Sequence, residues 1–120
     1  MEDFEIEIID DVAVIGVNLN RATLNEAAAF REKVEVVINL NHTKYIIDVS
    51  KCDFIDSTFF GAIVIAFKLI KSKDYRLKVV EPANTGEDIF TTRNFRRLFD
   101  LYKTREDAIK SFESDSQPNS

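Results

Sequence analysis

The arrangement that most constrains the fold is a helical segment set between two strand-like segments within residues 44–80. Lys44 to Ser50 is a short run rich in β-branched residues, which predicts a buried strand. Tyr75 to Val80 alternates in polarity until Glu81-Pro82 stops it, and this predicts a second strand. Residues 59–71 predict a helix, because apolar side chains recur there at spacings of three and four: Phe60, Ile63, Phe67 and Ile70. Strand, helix and strand in this order imply a right-handed crossover between parallel neighbours.

The first third of the chain predicts a hairpin followed by a helix. Residues 4–8 alternate apolar and acidic side chains, residues 10–11 are aspartates, and residues 12–19 are again rich in strand-forming types. This pattern is typical of two antiparallel strands joined by a tight turn. Residues 23–26 have the form of a capping box, and the periodic apolar residues behind it predict a helix that ends near residues 39–41.

The last third is less regular. It predicts a weak helix from Thr85 to Thr92, a short edge strand from Leu98 to Tyr102, and a capped helix that runs from residues 104–107 to Phe112. Residues 113–120 contain no apolar side chain, which is typical of a disordered tail. The element order is therefore β-β-α-β-α-β-α-β-α, an α/β fold with a mixed four- to five-stranded sheet and about four helices packed against it. We expect one domain over residues 1–112 and a tail over residues 113–120.

Charge and composition exclude several classes of function. The net charge of -5 argues against a binding mode that neutralises many phosphates, so we expect no nucleic-acid partner. The acidic start predicts no secretory signal, and the apolar run over residues 59–67 is too short for a membrane helix. We therefore expect a cytoplasmic protein without membrane insertion. One cysteine, Cys52, and one histidine, His42, cannot form a common zinc cluster or an internal disulfide, and we expect no metal and no cofactor.

An enzyme is also disfavoured. The chain has three glycines, and they are too far apart to form a phosphate-binding loop. A phosphoryl-accepting receiver domain would need a helix after the acidic pair at residues 10–11, but the sequence predicts a strand there. No set of nucleophile, base and orienting residue is evident.

Asp56, Ser57 and Thr58 lie together at the predicted start of the second helix. All three are favoured residue types at a helix N-terminus, so the simplest interpretation of the hydroxyl pair is a helix cap.

Two segments resemble a known family. The run VSKCDFIDSTFFGAI, which follows a strand and opens a helix, resembles the signature of the STAS domain, the fold of anti-sigma factor antagonists and of the cytoplasmic ends of sulfate transporters. Those antagonists carry Asp-Ser-Ser/Thr-Gly-Leu-Gly at this point. The late segment FRRLFDLYKTREDAIKSF is similar to the family's last strand and helix. The resemblance implies a single STAS domain.

The resemblance also implies a partner-switching role without catalysis. In such systems the unmodified antagonist binds an anti-sigma factor that is also a serine kinase; phosphorylation breaks the complex, and a serine phosphatase restores it. Carried to this sequence, the acceptor is Ser57, and Thr58 is a second hydroxyl of possible use. Residues Asp53, Asp56, Ser57, Thr58 and Phe59 would form the partner-binding surface. We expect a monomer or a weak dimer.

Phe59 departs from the family pattern, which has glycine there, whereas Gly61 retains the second glycine. Its ring would obstruct the close approach of a partner or supply an apolar anchor. The spacing of Phe60 to Ile63 and Phe67 predicts that Phe60 lies in the core and leaves Phe59 as the exposed phenylalanine. The departure motivates an alternative, a STAS scaffold or subunit without phosphorylation in a stressosome-like or transporter-associated assembly.

Overall fold

The computed structural model of the chain describes residues 2–83 and 89–116. Within these residues the chain forms a five-stranded sheet, a two-stranded ladder and four helices. The strands are β1 (Phe4–Ile9), β2 (Val12–Val17), β3 (Arg21–Ala22), β4 (Lys44–Asp48), β5 (Phe54–Ile55), β6 (Arg76–Val80) and β7 (Leu101–Tyr102). The helices are α1 (Leu24–Ile38), α2 (Ser57–Ser72), α3 (Ile89–Leu98) and α4 (Arg105–Ser116).

The large sheet has the strand order β1-β2-β4-β6-β7. β1 and β2 are antiparallel, and Asp10, with a φ of 56°, adopts the left-handed conformation in the turn between them. β2, β4, β6 and β7 are parallel neighbours, as the right-handed crossover rule predicts. The predicted α/β class, the hairpin and the edge position of the last strand are therefore confirmed.

One face of the sheet is covered by α1, α2 and α3, and the contact is apolar. Alternate residues of the strands point to this face, where phenylalanines of the helices meet them. The rings of Phe30 and Phe59 are 5.0 Å apart, and the ring of Phe4 stacks 6.3 Å from Phe59. Phe60 packs edge-on at 4.9 Å against Phe95 of α3. Aromatic packing thus joins the three helices to the sheet.

The other face is covered by α4. Its apolar contact is small. The buried residues of this contact are Val12, Val14, Ile46, Val80, Ala108 and Phe112, and Ile9, Tyr102 and Ile109 pack against them. Ion pairs hold the helix at both ends. At its start, Arg105 donates to Asp48 at 2.5 Å and to Glu7 at 2.7 Å. Near its end, Asp115 accepts a hydrogen bond from the buried Lys78 at 2.6 Å.

Several predicted boundaries are wrong. α3 is described from Ile89 to Leu98, whereas the prediction placed a helix over residues 85–92; residues 84–88 lie outside the described residues. Leu98 belongs to this helix, so the edge strand is limited to Leu101–Tyr102. α4 continues through Ser116, and residues 113–116 are helical rather than part of a tail. Residues 117–120 lie outside the described residues.

Candidate functional site

The candidate site lies at the start of α2. Asp56 is the N-cap of this helix, and its Oδ1 accepts a hydrogen bond from the Phe59 amide at 2.8 Å. The expectation that the hydroxyl pair caps the helix is therefore wrong. Ser57 and Thr58 are the first two helical residues instead, and both side chains are exposed. A carboxylate is as good a cap as a hydroxyl, which leaves the Ser57 hydroxyl available for another role.

The backbone around Ser57 is open to an anion. No acceptor within the described part of the chain takes a hydrogen bond from the amides of Ser57 or Thr58. The first amides of a helix have no partner inside the helix, and they lie at the positive end of its dipole. Asp53 is exposed three residues before the cap, and its carboxylate adds negative charge to the surface around Ser57.

The prediction that Phe59 is an exposed anchor is wrong. Its side chain is 0% exposed and belongs to the aromatic cluster under α1. The reason is helical periodicity, because position 59 lies on the same face as Ala62, Ile63, Ala66 and Ile70, which are also buried. Phe60, predicted to lie in the core, is partly buried at its edge. Phe59 is therefore not part of a partner-binding surface.

A two-residue ladder that the sequence did not predict brings a second loop to the site. β3 pairs in parallel with β5, and the Asp53 amide donates to the carbonyl of Asn20 at 2.7 Å. The guanidinium of Arg21 lies 4.4 Å from the centre of the Phe54 ring. The Phe54 ring covers the ladder on one side. The loops that lead into α1 and α2 are thereby joined just before each helix begins.

The two helix starts meet at one carboxylate. Oδ2 of Asp56 accepts a hydrogen bond from the amide of Leu24, the first residue of α1, at 2.9 Å. The next α1 amide, of Asn25, bonds to the Thr23 hydroxyl at 3.3 Å, and Glu26 completes the predicted capping box. The Leu24 side chain is 63% exposed, so an apolar residue lies on the surface next to the site. Sequence reasoning missed Leu24, since a single leucine at a helix start carries no periodic signal.

Gly61 lies one turn after Ser57 on α2. A Cβ atom placed on Gly61 would meet no heavy atom within 4 Å, so packing inside the chain does not require glycine there. The family's second glycine therefore leaves a flat outer surface on α2 next to Ser57. Such a surface allows another protein to approach the helix closely.

Cys52, four residues before Asp56 in the chain, is not a reactive thiol. Burial raises the pKa of the Cys52 thiol to about 12, with a further contribution from the negative charges of Asp48 and Asp53, so the thiol stays protonated at neutral pH. Within residues 2–83 and 89–116, no group of histidine, cysteine and acidic side chains is arranged to hold a metal ion. None of the described helices is long and apolar enough to span a membrane.

Comparison with known proteins identifies the family. The model of the STAS domain matches residues 3–108. The chain belongs to the STAS domain family. The resemblance seen in the motif around Ser57 is thereby confirmed, and the match includes every strand and the first three helices of this STAS domain.

Individual relatives agree with this assignment. A Thermotoga maritima protein named "Putative anti-sigma factor antagonist" is 27% identical over 108 residues, which cover 89% of this chain and 95% of that protein. The crystal structure of an anti-sigma factor antagonist from Mycobacterium paratuberculosis superposes with a TM-score of 0.77 at 20% identity, covering 90% of this chain and 91% of the other. The phosphorylated form of the Bacillus cell fate determinant SpoIIAA superposes with a TM-score of 0.66 at 19% identity, covering 91% and 98%.

Proposed function

We propose that this STAS domain is an anti-sigma factor antagonist that works by partner switching. In its unmodified form it binds an anti-sigma factor with serine kinase activity, and phosphorylation of Ser57 ends that complex. A serine phosphatase then restores the binding form. The Thermotoga relative bears the name of an anti-sigma factor antagonist, which supports the assignment. Because such a kinase uses ATP, we expect the protein to lie in the cytoplasm.

The observation that carries the proposal is the position of Ser57 as an exposed first residue of α2, next to amides that find no acceptor among residues 2–83 and 89–116. A phosphoserine adds about -1.5 to -2 charges, which a helix N-terminus can accept. The fold therefore tolerates the modification. A protein packed over the same point meets a new dianion beside Asp53 and Asp56, and a loss of about 1.4 kcal/mol weakens binding tenfold.

The burial of Phe59 bears on the alternative of a scaffold without phosphorylation. That alternative rested on a ring that would obstruct the usual partner, but the ring points into the core and leaves the outer surface of α2 clear. The switch is therefore the function that the geometry supports best. The role requires no catalysis by this chain.

The test is phosphorylation in vitro. The purified chain is incubated with ATP and with each anti-sigma factor kinase of its own organism, and any added phosphate is located by mass spectrometry. We expect one phosphate on the wild type, none on Ser57→Ala, and one on Thr58→Ala, which removes the neighbouring exposed hydroxyl as a matched control. Equal labelling of Ser57→Ala and wild type would contradict the acceptor assignment.

Binding gives the second readout. The unmodified chain should bind the kinase that phosphorylates it, and Ser57→Asp should bind at least about tenfold more weakly, a cost within the usual range of coupling energies. A complex whose stability is the same for wild type and Ser57→Asp would favour the scaffold instead.

A further inference from the structure

The carboxylate of Asp56 serves two helices at once. Oδ1 accepts from the Phe59 amide of α2 at 2.8 Å, and Oδ2 accepts from the Leu24 amide of α1 at 2.9 Å. An N-cap needs only the first of these bonds. The second joins residues 32 positions apart in the sequence, and local helix formation does not account for it.

The backbone before Asp56 supports the same junction. The Asp56 amide donates to the carbonyl of Ala22 at 3.0 Å, directly after the β3–β5 ladder. The entry to α2 is thus bonded to the entry to α1 through both the main chain and the side chain of one residue. Hydrogen bonds to a charged acceptor are the stronger kind, so the carboxylate bond adds to the main-chain bonds that hold the helix starts together.

The side chains placed by this junction are Leu24 and Ser57, each the first residue of its helix. Both are exposed, and Leu24 is an apolar side chain beside a surface made polar by Asp53, Ser57 and Thr58. A partner that covers Ser57 also reaches Leu24, and binding removes that apolar surface from water.

We propose that Asp56 is a positioning residue that keeps Leu24 at a fixed place relative to Ser57, so that a partner binds both together. This inference rests on the proposed docking function. The partner would be a protein with an apolar pocket for Leu24 next to the cleft that receives the Ser57 hydroxyl. Two contacts held rigidly in place bind more tightly than the same contacts on independently moving helix ends, because less conformational entropy is lost on binding.

Asp56→Asn separates the two roles of the carboxylate. Asparagine is an equally good N-cap, but it offers an oxygen to one amide and an NH2 group to the other. With the oxygen on the Phe59 amide, the Leu24 amide loses its acceptor. Asp74→Asn is the control, since it removes the same charge just after the opposite end of α2, where Asp74 is exposed and its φ of 62° also suits asparagine.

The first readout uses the free protein. In amide NMR spectra, Asp56→Asn should shift the Leu24 signal and speed its hydrogen exchange, while the Phe59 amide keeps its protection. Asp74→Asn should leave both signals in place. If Asp56→Asn does not fold, Asp56→Ser provides another favoured cap that cannot bond both amides. A Leu24 amide unchanged in the variant that folds would overturn the proposal, whether or not a partner exists.

The second readout is the affinity for the kinase that phosphorylates Ser57. Asp56→Asn should weaken binding about tenfold, and Leu24→Ala should weaken it to a similar extent. Asp74→Asn should leave the affinity unchanged. Residues that act through one contact are not additive, so the double variant Leu24→Ala/Asp56→Asn should bind about as weakly as either single variant. Losses that multiply, or wild-type affinity for Asp56→Asn, would refute the positioning role. A wild type that binds no kinase refutes the proposed function instead, and the Leu24 amide still tests the junction.

Discussion

The two faces of the central sheet are built in different ways. The face under α1, α2 and α3 is an apolar core rich in phenylalanine, whereas the face under α4 has a small apolar patch with ion pairs at both ends of the helix. Both buried charged residues of the described chain, Asp48 and Lys78, lie on the α4 side. The first face depends on filled volume and the second on paired charge, so each is sensitive to a different kind of substitution.

The charges on the α4 face support each other. Burial alone would lower the pKa of Lys78, but its hydrogen bonds to Asp115 and Tyr102 raise it above its ordinary value. Burial alone would also lower the pKa of Arg105. The hydrogen bond and the electrostatic attraction to Asp48 raise that pKa above its ordinary value. Both cations therefore remain charged at neutral pH.

The largest expected effect lies on the aromatic face. Phe59→Ala removes a ring that contacts both Phe4 and Phe30, and the cavity should lower the free energy of unfolding by about 3–5 kcal/mol. Urea denaturation measures the change. Thr58→Ala, one residue away on the exposed side, should change the same quantity by less than about 0.5 kcal/mol. Equal effects at the two positions would mean that the ring is not in the core.

The next effect concerns the charged face. Lys78→Met keeps most of the apolar stem of the side chain but removes the cation that Asp115, Asp100 and Ser111 share. The acidic partners are partly exposed and can be hydrated, so we expect a loss of about 1.5–3 kcal/mol, the range for hydrogen bonds to a charged group.

Lys44→Met is the control for that experiment. Lys44 pairs with Asp11, whose side chain is 70% exposed, and a surface pair contributes about 0–1 kcal/mol. If Lys44→Met costs as much as Lys78→Met, burial of the charge does not decide the strength of the α4 face.

Gly16→Ala tests the packing of Arg105 against the sheet. A Cβ atom on Gly16 would lie 2.7 Å from Nη2 of Arg105, so the guanidinium must move and its bond to Asp48 weakens. We expect a loss of about 1 kcal/mol, because the bond is weakened but not removed, and a full hydrogen bond to a charged group contributes about 1.5–3 kcal/mol. The loss should vanish in an Arg105→Ala background, and a loss of the same size there would assign the effect to the strand itself.

Gly61→Ala should have the opposite sign. Glycine inside a helix is less stable than alanine by about 0.8–1.0 kcal/mol, and the open space around Gly61 allows the methyl group without a clash. Thermal denaturation should therefore show a more stable protein. Its affinity for the kinase partner should fall, because the flat surface beside Ser57 is lost; unchanged affinity would indicate that the partner does not approach α2 at Gly61.

The smallest effect is a pH dependence of the α4 face. The hydrogen bond from Lys78 lowers the pKa of Asp115 below its ordinary value of 3.8. The carboxylate therefore stabilises the fold fully above that value, and the contribution is lost as the pH falls through the lower folded-state pKa. Denaturation of wild type and Asp115→Asn over this range should show a stability difference that shrinks on acidification. A difference independent of pH would mean that Asp115 acts through packing.

The long helices and strands could be predicted from the sequence because the spacing of apolar residues repeats several times within each of them. β3 and β5 could not, since two residues contain no period, and their pairing depends on loops that meet only in the folded chain. The last turn of α4 was assigned to a tail for a similar reason. Its composition is polar, but Asp115 is bound to Lys78 of β6 across 37 positions.

The candidate site was only partly predictable. Asp56, Ser57 and Thr58 were correctly placed at a helix start by residue type, which is a local property. The error at Phe59 came from using the spacing of Phe60 to Ile63 and Phe67 to place Phe60 on the buried face. The spacing of Phe59 to Ala62, Ile63 and Ala66 also indicated burial. The bond from Leu24 to Asp56 has no local signal, because it needs two helices packed side by side.

The burial of Cys52 has a practical consequence for following the proposed switch. The chain contains one cysteine, its side chain is 1% exposed, and burial raises the pKa of its thiol to about 12. Maleimide dyes react with exposed thiolates, so the native residue stays unlabelled in the folded protein. A cysteine introduced at the exposed Ala28, one turn after Leu24 on α1, would then carry a single fluorophore next to the proposed docking surface. Its fluorescence could report partner release in real time without removing Cys52.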